Sequence, residues 1–359
     1  MTDRPKPELP IVHLIHSGGF YGAERMLLDH CLIVPGQHRV VFIRPPLPLI
    51  ERFRSAGVEC YGVDGIKPLL RYLDDQHVLL NAHNFKAQLF ALRCAWTLKL
   101  PLVWTQHGFT PRNFKQNIYT WLSLQLCRSQ TVRRVACVAK SIADLHVKAG
   151  VPENKLQVIA NGLPEAAAPL GNKQDNQPAL VGFVGRLSAE KGPDLFLDAL
   201  IPLCQQRPEL QAFLLGDGPQ SEPLQQRIQA AGLQTQIHMP GYQNNVDEWL
   251  NRLSVLVLSS RTEGTPMILL EAMQHRTPVV AFAVGGIPDV IRHRTTGLLA
   301  TALDSAELSG HIAELLDDAN LTKRLTQAAW QLQRDNYHLP TLAKSWTELY
   351  SLASEAKTT

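Results

Sequence analysis

The stretch VLVLSSRTEGTPMILLEAM, Val255 to Met273, reads as a strand, a short polar loop and a helix. Four consecutive apolar residues, two of them β-branched, suit a strand covered on both faces. Gly264 and Thr265 stand where the helix begins, and a helix start exposes backbone N–H groups that stabilise an anion. Glu263 falls in the loop at the end of the strand, and Glu271 lies about two turns on within the helix. A carboxylate accepts hydrogen bonds from hydroxyls. Two of them flanking a nest of N–H groups fit a sugar nucleotide, which carries hydroxyls at both ends of a diphosphate. The same residues would also serve a capped helix with one surface Glu and one paired Glu.

The unit repeats in both directions. Before it, apolar runs alternate with helical spacings: IVHLIH (11–16), RVVFI (39–43), VECYGV (58–63), HVLLNAH (77–83), LVWTQH (102–107), RVACVA (134–139) and LQVIAN (156–161). Pro164 to Pro178, PEAAAPLGNKQDNQP, reads as a linker. The alternation then restarts with LVGFVG (180–185), QAFLLG (211–216), IHMPGY (237–242), the opening strand and PVVAFAVGG (278–286), and three helical patterns close the chain. Such alternation predicts an α/β protein of two Rossmann-like doubly wound domains facing a central cleft. The boundaries read as 1–170, 171–340 and a terminal helix, 341–359, packing back on the first domain. Open α/β sheets take ligands at the carboxyl ends of their strands.

With 359 residues, 45% hydrophobic and 19% charged, the chain can bury two ordinary cores and is not of disordered composition. Six cysteines are scattered without a CxxC pair or zinc spacing, which predicts free thiols in a reducing compartment. The opening residues lack the pattern of a signal peptide and no apolar run reaches membrane length. The expectation is a cytoplasmic protein. The charge is lopsided. Residues 1–170 hold 20 Lys+Arg against 12 Asp+Glu, a net +8; residues 171–359 hold 15 against 20, a net −5. From Gln76 to Ala143 there is no acidic residue, which points to an anionic partner for the first half.

Four further stretches carry candidate chemistry. HSGGFYGAE (16–24) follows the first strand with the spacing GGxxG; Gly18 and Gly19 serve either a tight turn or the close approach of an anion. VGRLSAEKG (184–192) puts Arg186 and Lys191 after the first strand of the second half, where they are either solvated surface charges or a phosphate clamp. LLGDGP (214–219) reads as a structural turn. VGGIPD (284–289) follows the last long strand.

Taken together and in order, GGxxGAE, GRLSAEKG, LLGDGP and EGTPMILLE resemble the retaining glycosyltransferases of family 4, which have the GT-B fold. The resemblance covers about residues 11–340, and VIANGL (158–163) is similar to that family's inter-domain segment. It implies a nucleoside diphosphate sugar as donor. Arg186 and Lys191 would bind the diphosphate. Glu263 would face the transferred sugar, and Glu271 would bond the ribose. Gly264, Thr265 and the carbonyl of Pro266 would line the sugar and phosphate. Gly18 and Gly19 would approach the diphosphate from the other domain, His107 would lie near the sugar, and Tyr242 where the base is held. The family commonly has Glu after GGxP; here Asp289 stands there and reads as a helix cap.

No Asp-x-Asp motif occurs, so neither a metal nor another cofactor is expected; Arg186, Lys191 and helix N-termini would carry the electrostatic work. The acceptor is expected to be a carbohydrate or lipid-linked hydroxyl. The segment 112–134 combines Tyr119 and Trp121 with Arg112, Lys115, Arg128, Arg133 and Arg134, and suits either an anionic membrane surface, on the inner face, or an ordinary helix with a solvated basic side. Nucleic acid is not expected as a partner, because the aromatics are not interleaved on a strand platform. The competing readings are a non-catalytic sugar-nucleotide-binding protein and an epimerase on the same fold; a phosphorylase would need a cofactor lysine motif that is missing.

Overall fold

The computed structural model describes residues 9–20, 22–107, 114–165 and 179–355. Most of the expected linker, Tyr21 of the glycine stretch and Arg112 lie outside the described residues, as does the side chain of Lys115. Two compact units emerge, Met1–Pro164 with His338–Thr359, and Glu165–Tyr337.

The first unit runs β1 (Ile11–Ile15), α1 (Gly22–Ile33), β2 (His38–Ile43), α2 (Leu47–Ser55), β3 (Glu59–Val63), α3 (Ile66–Leu73), β4 (Leu79–Ala82) and α4 (Phe85–Leu98). It continues with β5 (Leu102–Gln106), α5 (Phe114–Leu126), β6 (Val132–Cys137), α6 (Lys140–Lys148) and β7 (Leu156–Val158). The second unit runs β8 (Leu180–Val184), α7 (Pro193–Gln206), β9 (Gln211–Leu215), α8 (Ser221–Ala230), β10 (Ile237–Gly241), α9 (Val246–Arg252) and β11 (Val255–Leu258). It ends with α10 (Met267–Gln274), β12 (Val279–Phe282), α11 (Ile287–Val290), β13 (Leu298–Ala300), α12 (Ser305–Asp317) and α13 (Ala319–Asn336). The last helix, α14 (Leu339–Glu355), belongs to the first unit.

Strand order is β3-β2-β1-β4-β5-β6-β7 in one sheet and β10-β9-β8-β11-β12-β13 in the other. Every pairing among the described residues is parallel. Both orders are those of a doubly wound sheet, which reverses direction beside its first strand. The switch points therefore fall between β1 and β4, and between β8 and β11.

The period of two along each strand separates the faces of the first sheet. Val12, Leu14, Val41, Leu80, Leu102 and Trp104 pack into one core layer. Ile11, Leu79, Val103 and Ala136 pack against Trp346, Leu349 and Tyr350 of α14 on the other. Fully burying each such side chain contributes about 1.5–3 kcal/mol. That second face also buries polar groups, His13, Asn81 and Thr105. In the second unit Val181, Phe183, Val255, Val257 and Phe282 join Phe196 of α7 and Ile312 of α12 in the core layer on one face of the sheet. Helix α10 is buried nearly all round, which is why its sequence is apolar at almost every position.

Candidate functional site

The loops leaving β8 and β11 meet at the switch point of the second unit. Lys191, in the β8 loop, donates to Glu263 Oε1 at 2.6 Å, and the Ser260 hydroxyl donates to the same oxygen at 2.7 Å. The Glu263 side chain is only 8% exposed, that of Lys191 33%, so the carboxylate is nearly enclosed and its cation stays reachable. Ser259 Oγ donates to the Gly192 carbonyl at 2.8 Å. Arg261 forms two parallel bonds to Asp194, 2.8 and 2.6 Å, and a third to the Ala189 carbonyl at 2.8 Å. This planar fork holds the Asp194 carboxyl below its ordinary range. The two loops are thus stapled from both sides, and the staple aligns Lys191 with Glu263.

Glycine is obligatory at two points of this packing. Gly192 has φ +65°, and a Cβ there would lie 2.0 Å from the Ser259 carbonyl oxygen. Gly285 has φ +55°, and its Cβ would lie 1.9 Å from the Glu263 carbonyl oxygen. The loop after β12 is pressed against the Glu263 loop, with the Gly286 N–H donating to the Glu263 carbonyl at 3.2 Å. Asp289 sits in the first turn of α11, where Gly286 is the cap; the expected capping role is not the one the structure gives it.

The other positions in this unit fall around the pair. Gly264, Thr265 and Pro266 link Glu263 to α10, which starts with Pro266 as N-cap and no side-chain cap. No side-chain oxygen caps its first turn, in which the Leu269 N–H donates to the Pro266 carbonyl at 3.1 Å. Arg186 is exposed two residues beyond the end of β8. Tyr242 is exposed after β10, and its N–H donates to Asp217 Oδ2 at 3.1 Å. That bond, and the Leu187 N–H to the Asp217 carbonyl at 2.9 Å, give the Gly-Asp-Gly turn its structural role. Glu271 is buried within α10. Ser260, Arg261 and Asp194 were missed in the sequence. The signal was adjacency: Ser260 and Arg261 directly precede the Thr-Glu-Gly of the opening stretch.

The first unit holds its own set at its own switch point. Ser17 Oγ donates to the Gly19 carbonyl at 2.7 Å and accepts from the Gly19 N–H at 3.2 Å. Asn84, the N-cap of α4, donates to the His16 carbonyl at 2.7 Å, tying the β1 loop to the β4 loop. A side chain on Gly18 would meet nothing within 4 Å, so the space above that backbone is open. His107 follows β5 directly, and burial pushes its imidazole down to about 4. Its Nε2 lies 3.1 Å from His83 Nδ1.

The family model described as Glycosyl transferases group 1 matches residues 170–331. That described as Glycosyltransferase Family 4 matches residues 12–166. The Alpha-D-kanosaminyltransferase of Streptomyces kanamyceticus is 30% identical over 178 residues, 49% of this chain and 46% of that protein. The lipopolysaccharide core biosynthesis mannosyltransferase LpsB of Rhizobium meliloti is 34% identical over 161 residues, 43% of this chain and 45% of that protein. The matches thus span about half the length of these relatives. The crystal structure of Anabaena Alr3699/HepE in complex with UDP-glucose has a TM-score of 0.85 at 21% identity, covering 96% of this chain and 99% of that one. At that identity the likeness is one of fold.

Proposed function

The chain belongs to the group 1 and family 4 glycosyltransferases, of the GT-B fold class, and from that premise we propose a retaining, metal-independent transfer of a hexosyl-type sugar from a nucleoside diphosphate sugar. The observation that carries this reading is the Lys191–Glu263 pair at the switch point, next to the uncapped start of α10. In the reaction, an acceptor hydroxyl oxygen bonds to the anomeric carbon on the face from which the diphosphate departs. The bond from that carbon to the β-phosphate oxygen breaks, and the hydroxyl proton passes to the departing phosphate. Positive charge gathers on the sugar and negative charge on the phosphate. Arg186, Lys191 and the N–H groups of α10 are the cationic and dipolar groups that would receive the phosphate. Glu263 then sits on the sugar side, positioned by Lys191 and Ser260, and stabilises the oxocarbenium character without bonding to it. Glu271 and Tyr242 remain the groups for ribose and base, and Gly18, Gly19 and His107 those for the other part of the substrate. The absence of an Asp-x-Asp motif supports a site without a divalent ion.

For the acceptor we infer a carbohydrate or lipid-linked hydroxyl, in keeping with LpsB among the relatives. Among the described residues no helix is long and apolar enough to cross a membrane. Trp96 on α4 and Trp121 on α5 are nevertheless 66% and 59% exposed, in the acid-free part of the chain. Arg93 lies over the Trp96 ring, 5.2 Å from its centroid. Aromatic and basic groups together suit the headgroup region of an anionic bilayer, which supports the reading of a peripheral enzyme on an inner membrane face.

The test is a screen of nucleoside diphosphate sugars by thermal shift, with and without EDTA, followed by transfer assays on the stabilising donor and NMR of the product's anomeric proton. One donor should stabilise the protein regardless of EDTA, and the product should keep the donor's anomeric configuration. Stabilisation without transfer or hydrolysis would favour a binding protein, epimerised donor an epimerase, and an inverted product would refute retention.

A further inference from the structure

Four histidines from four adjacent strand positions form one hydrogen-bonded series across the first sheet. His38 on β2 meets His13 on β1 (Nδ1 to Nε2, 2.9 Å), His13 meets His83 after β4 (Nδ1 to Nε2, 2.9 Å), and His83 meets His107 after β5 (Nδ1 to Nε2, 3.1 Å). The far end is anchored, because His38 Nε2 lies 3.0 Å from the Val34 carbonyl oxygen.

The anchor fixes the direction of every bond. A carbonyl only accepts, so the proton of a neutral His38 is on Nε2 and its Nδ1 is a lone pair. His13 Nε2–H must then donate to His38, which leaves His13 Nδ1 as acceptor. His83 Nε2–H donates to it in turn, and His107 Nε2–H donates to His83 Nδ1. Each ring is left in the same tautomer. The last ring, His107, ends with an unprotonated Nδ1, and among the described residues that atom has no hydrogen-bond partner. The neutral form fits the surroundings. Among the described residues, the polar groups bordering the series include His30 and Cys31 from α1, Tyr350 from α14, Asn81 from β4 and Thr105 from β5, and no carboxylate acts on any of the four rings. Burial, and then the neighbouring imidazoles, hold His13 and His83 well below their ordinary value.

We propose that His83, His13 and His38 are positioning residues that lock His107 in the Nε2–H tautomer, so that its Nδ1 lone pair accepts a hydrogen bond from a substrate hydroxyl. The role of His107 toward substrate rests on the transferase reading above; the locked tautomer does not. A ring free to choose would equally present an N–H, and the hydroxyl would then accept from it, leaving its own proton without this acceptor. Cys31 brings its thiol within 4.8 Å of the ligand nitrogens of His13 and His38. Burial raises that thiol far above its ordinary value, so the trio is neutral and leaves both rings to the series.

The experiment is a two-bond hydrogen–nitrogen correlation spectrum of the full chain labelled with 15N-histidine, without substrate, at pH 7.5. The 13 histidines include those four, each assigned by the signal lost in its own variant. The wild-type spectrum should give the Nε2–H pattern for all four. An Nδ1–H or imidazolium pattern at His107 overturns the proposal, and that reading stands even where a variant fails to fold. In His38→Phe the anchor is gone and the series can reverse, so His107 should shift to Nδ1–H in part or in full. With the donor found above, kcat should fall about tenfold or more while affinity for that donor's nucleoside diphosphate stays unchanged. A His107 that keeps Nε2–H in a folded His38→Phe overturns the positioning role. A wild-type protein that gives the expected spectra but transfers no sugar from any donor would sink the transferase reading alone.

Discussion

Lys191 Nζ lies 2.6 Å from Glu263 Oε1, although the two residues are 72 positions apart in the chain. Adjacent parallel strands, β8 and β11, deliver them to one edge of the sheet. Removing one partner leaves the other stranded, so Lys191→Met leaves the nearly enclosed carboxylate with the Ser260 hydroxyl. Urea unfolding should show a loss of about 1–3 kcal/mol. The double variant Lys191→Met/Glu263→Gln should lose less than the sum of the two single changes, with a coupling of about 0.5–3 kcal/mol. Additive losses would mean the pair does not act as a unit. In transfer assays Glu263→Gln should cost about 100-fold or more in kcat.

The loop after β12 is held against the Glu263 loop only because no side chain intervenes. Gly285→Ala must move one backbone away from the other, since its Cβ would sit 1.9 Å from the Glu263 carbonyl oxygen. It should destabilise the protein by more than about 2 kcal/mol and abolish donor binding. Gly310→Ala is the control. Gly310 lies inside α12 with nothing within 4 Å of its Cβ, and alanine there should stabilise by about 0.5–1 kcal/mol. Equal effects at both sites would remove the close-approach argument.

Acid should destabilise the first unit early. His13, His30, His83 and His107 are held below the ordinary value of 6.5, by burial first in every case, with His107 at about 4. Below pH 6.5 the unfolded chain binds protons that the folded chain does not. Stability is therefore complete above that pH and falls as the pH drops toward the folded values, by up to about 1.4 kcal/mol per pH unit for each histidine. Asp29 opposes this by one proton: burial raises its carboxyl from 3.8 to about 6, so in that window the folded state takes up the proton first. The net slope remains that of the histidines. Denaturation midpoints measured from pH 7.5 to 5 should hold down to about pH 6.5 and decline below it, and a flat profile would contradict neutral burial.

Trp96 and Trp121 are exposed too far to contribute to the core, so changing them to alanine should leave the melting temperature within about 2 °C. Sedimentation with phosphatidylglycerol vesicles should nevertheless show the double variant binding at least about tenfold more weakly than the wild type. Phosphatidylcholine vesicles should bind neither protein, and added salt should weaken the anionic case. Equal binding of both lipids would exclude an electrostatic surface site.

Much of this was legible from periodicity. Twelve strands were expected from apolar runs, and each run overlaps the strand found; ten contain it whole, while β2 begins one residue before its run, at His38, and β6 two residues before, at Val132. β13 escaped because Leu298–Ala300 holds no β-branched residue, whereas β7, equally short, carries Val158 and runs on into Ile159. The Lys191–Glu263 site was legible because its residues cluster in two short loops. The histidine series was not, because it runs across the strands rather than along them: His13, His38, His83 and His107 become neighbours only through sheet order. A polar residue inside the fully buried run Ile11–Ile15 was the one local hint. The Arg261–Asp194 staple was hidden for the same reason, since an arginine and an aspartate at separate loop ends read as surface charges.

The most direct test is calorimetric titration of UDP and GDP, in EDTA, into the wild-type protein and Arg186→Ala. A fixed cationic site requires that one nucleotide bind the wild type with an affinity indifferent to EDTA, and that Arg186→Ala bind it at least about tenfold more weakly. Undiminished binding in the variant, or binding that disappears when divalent ions are chelated, would contradict it.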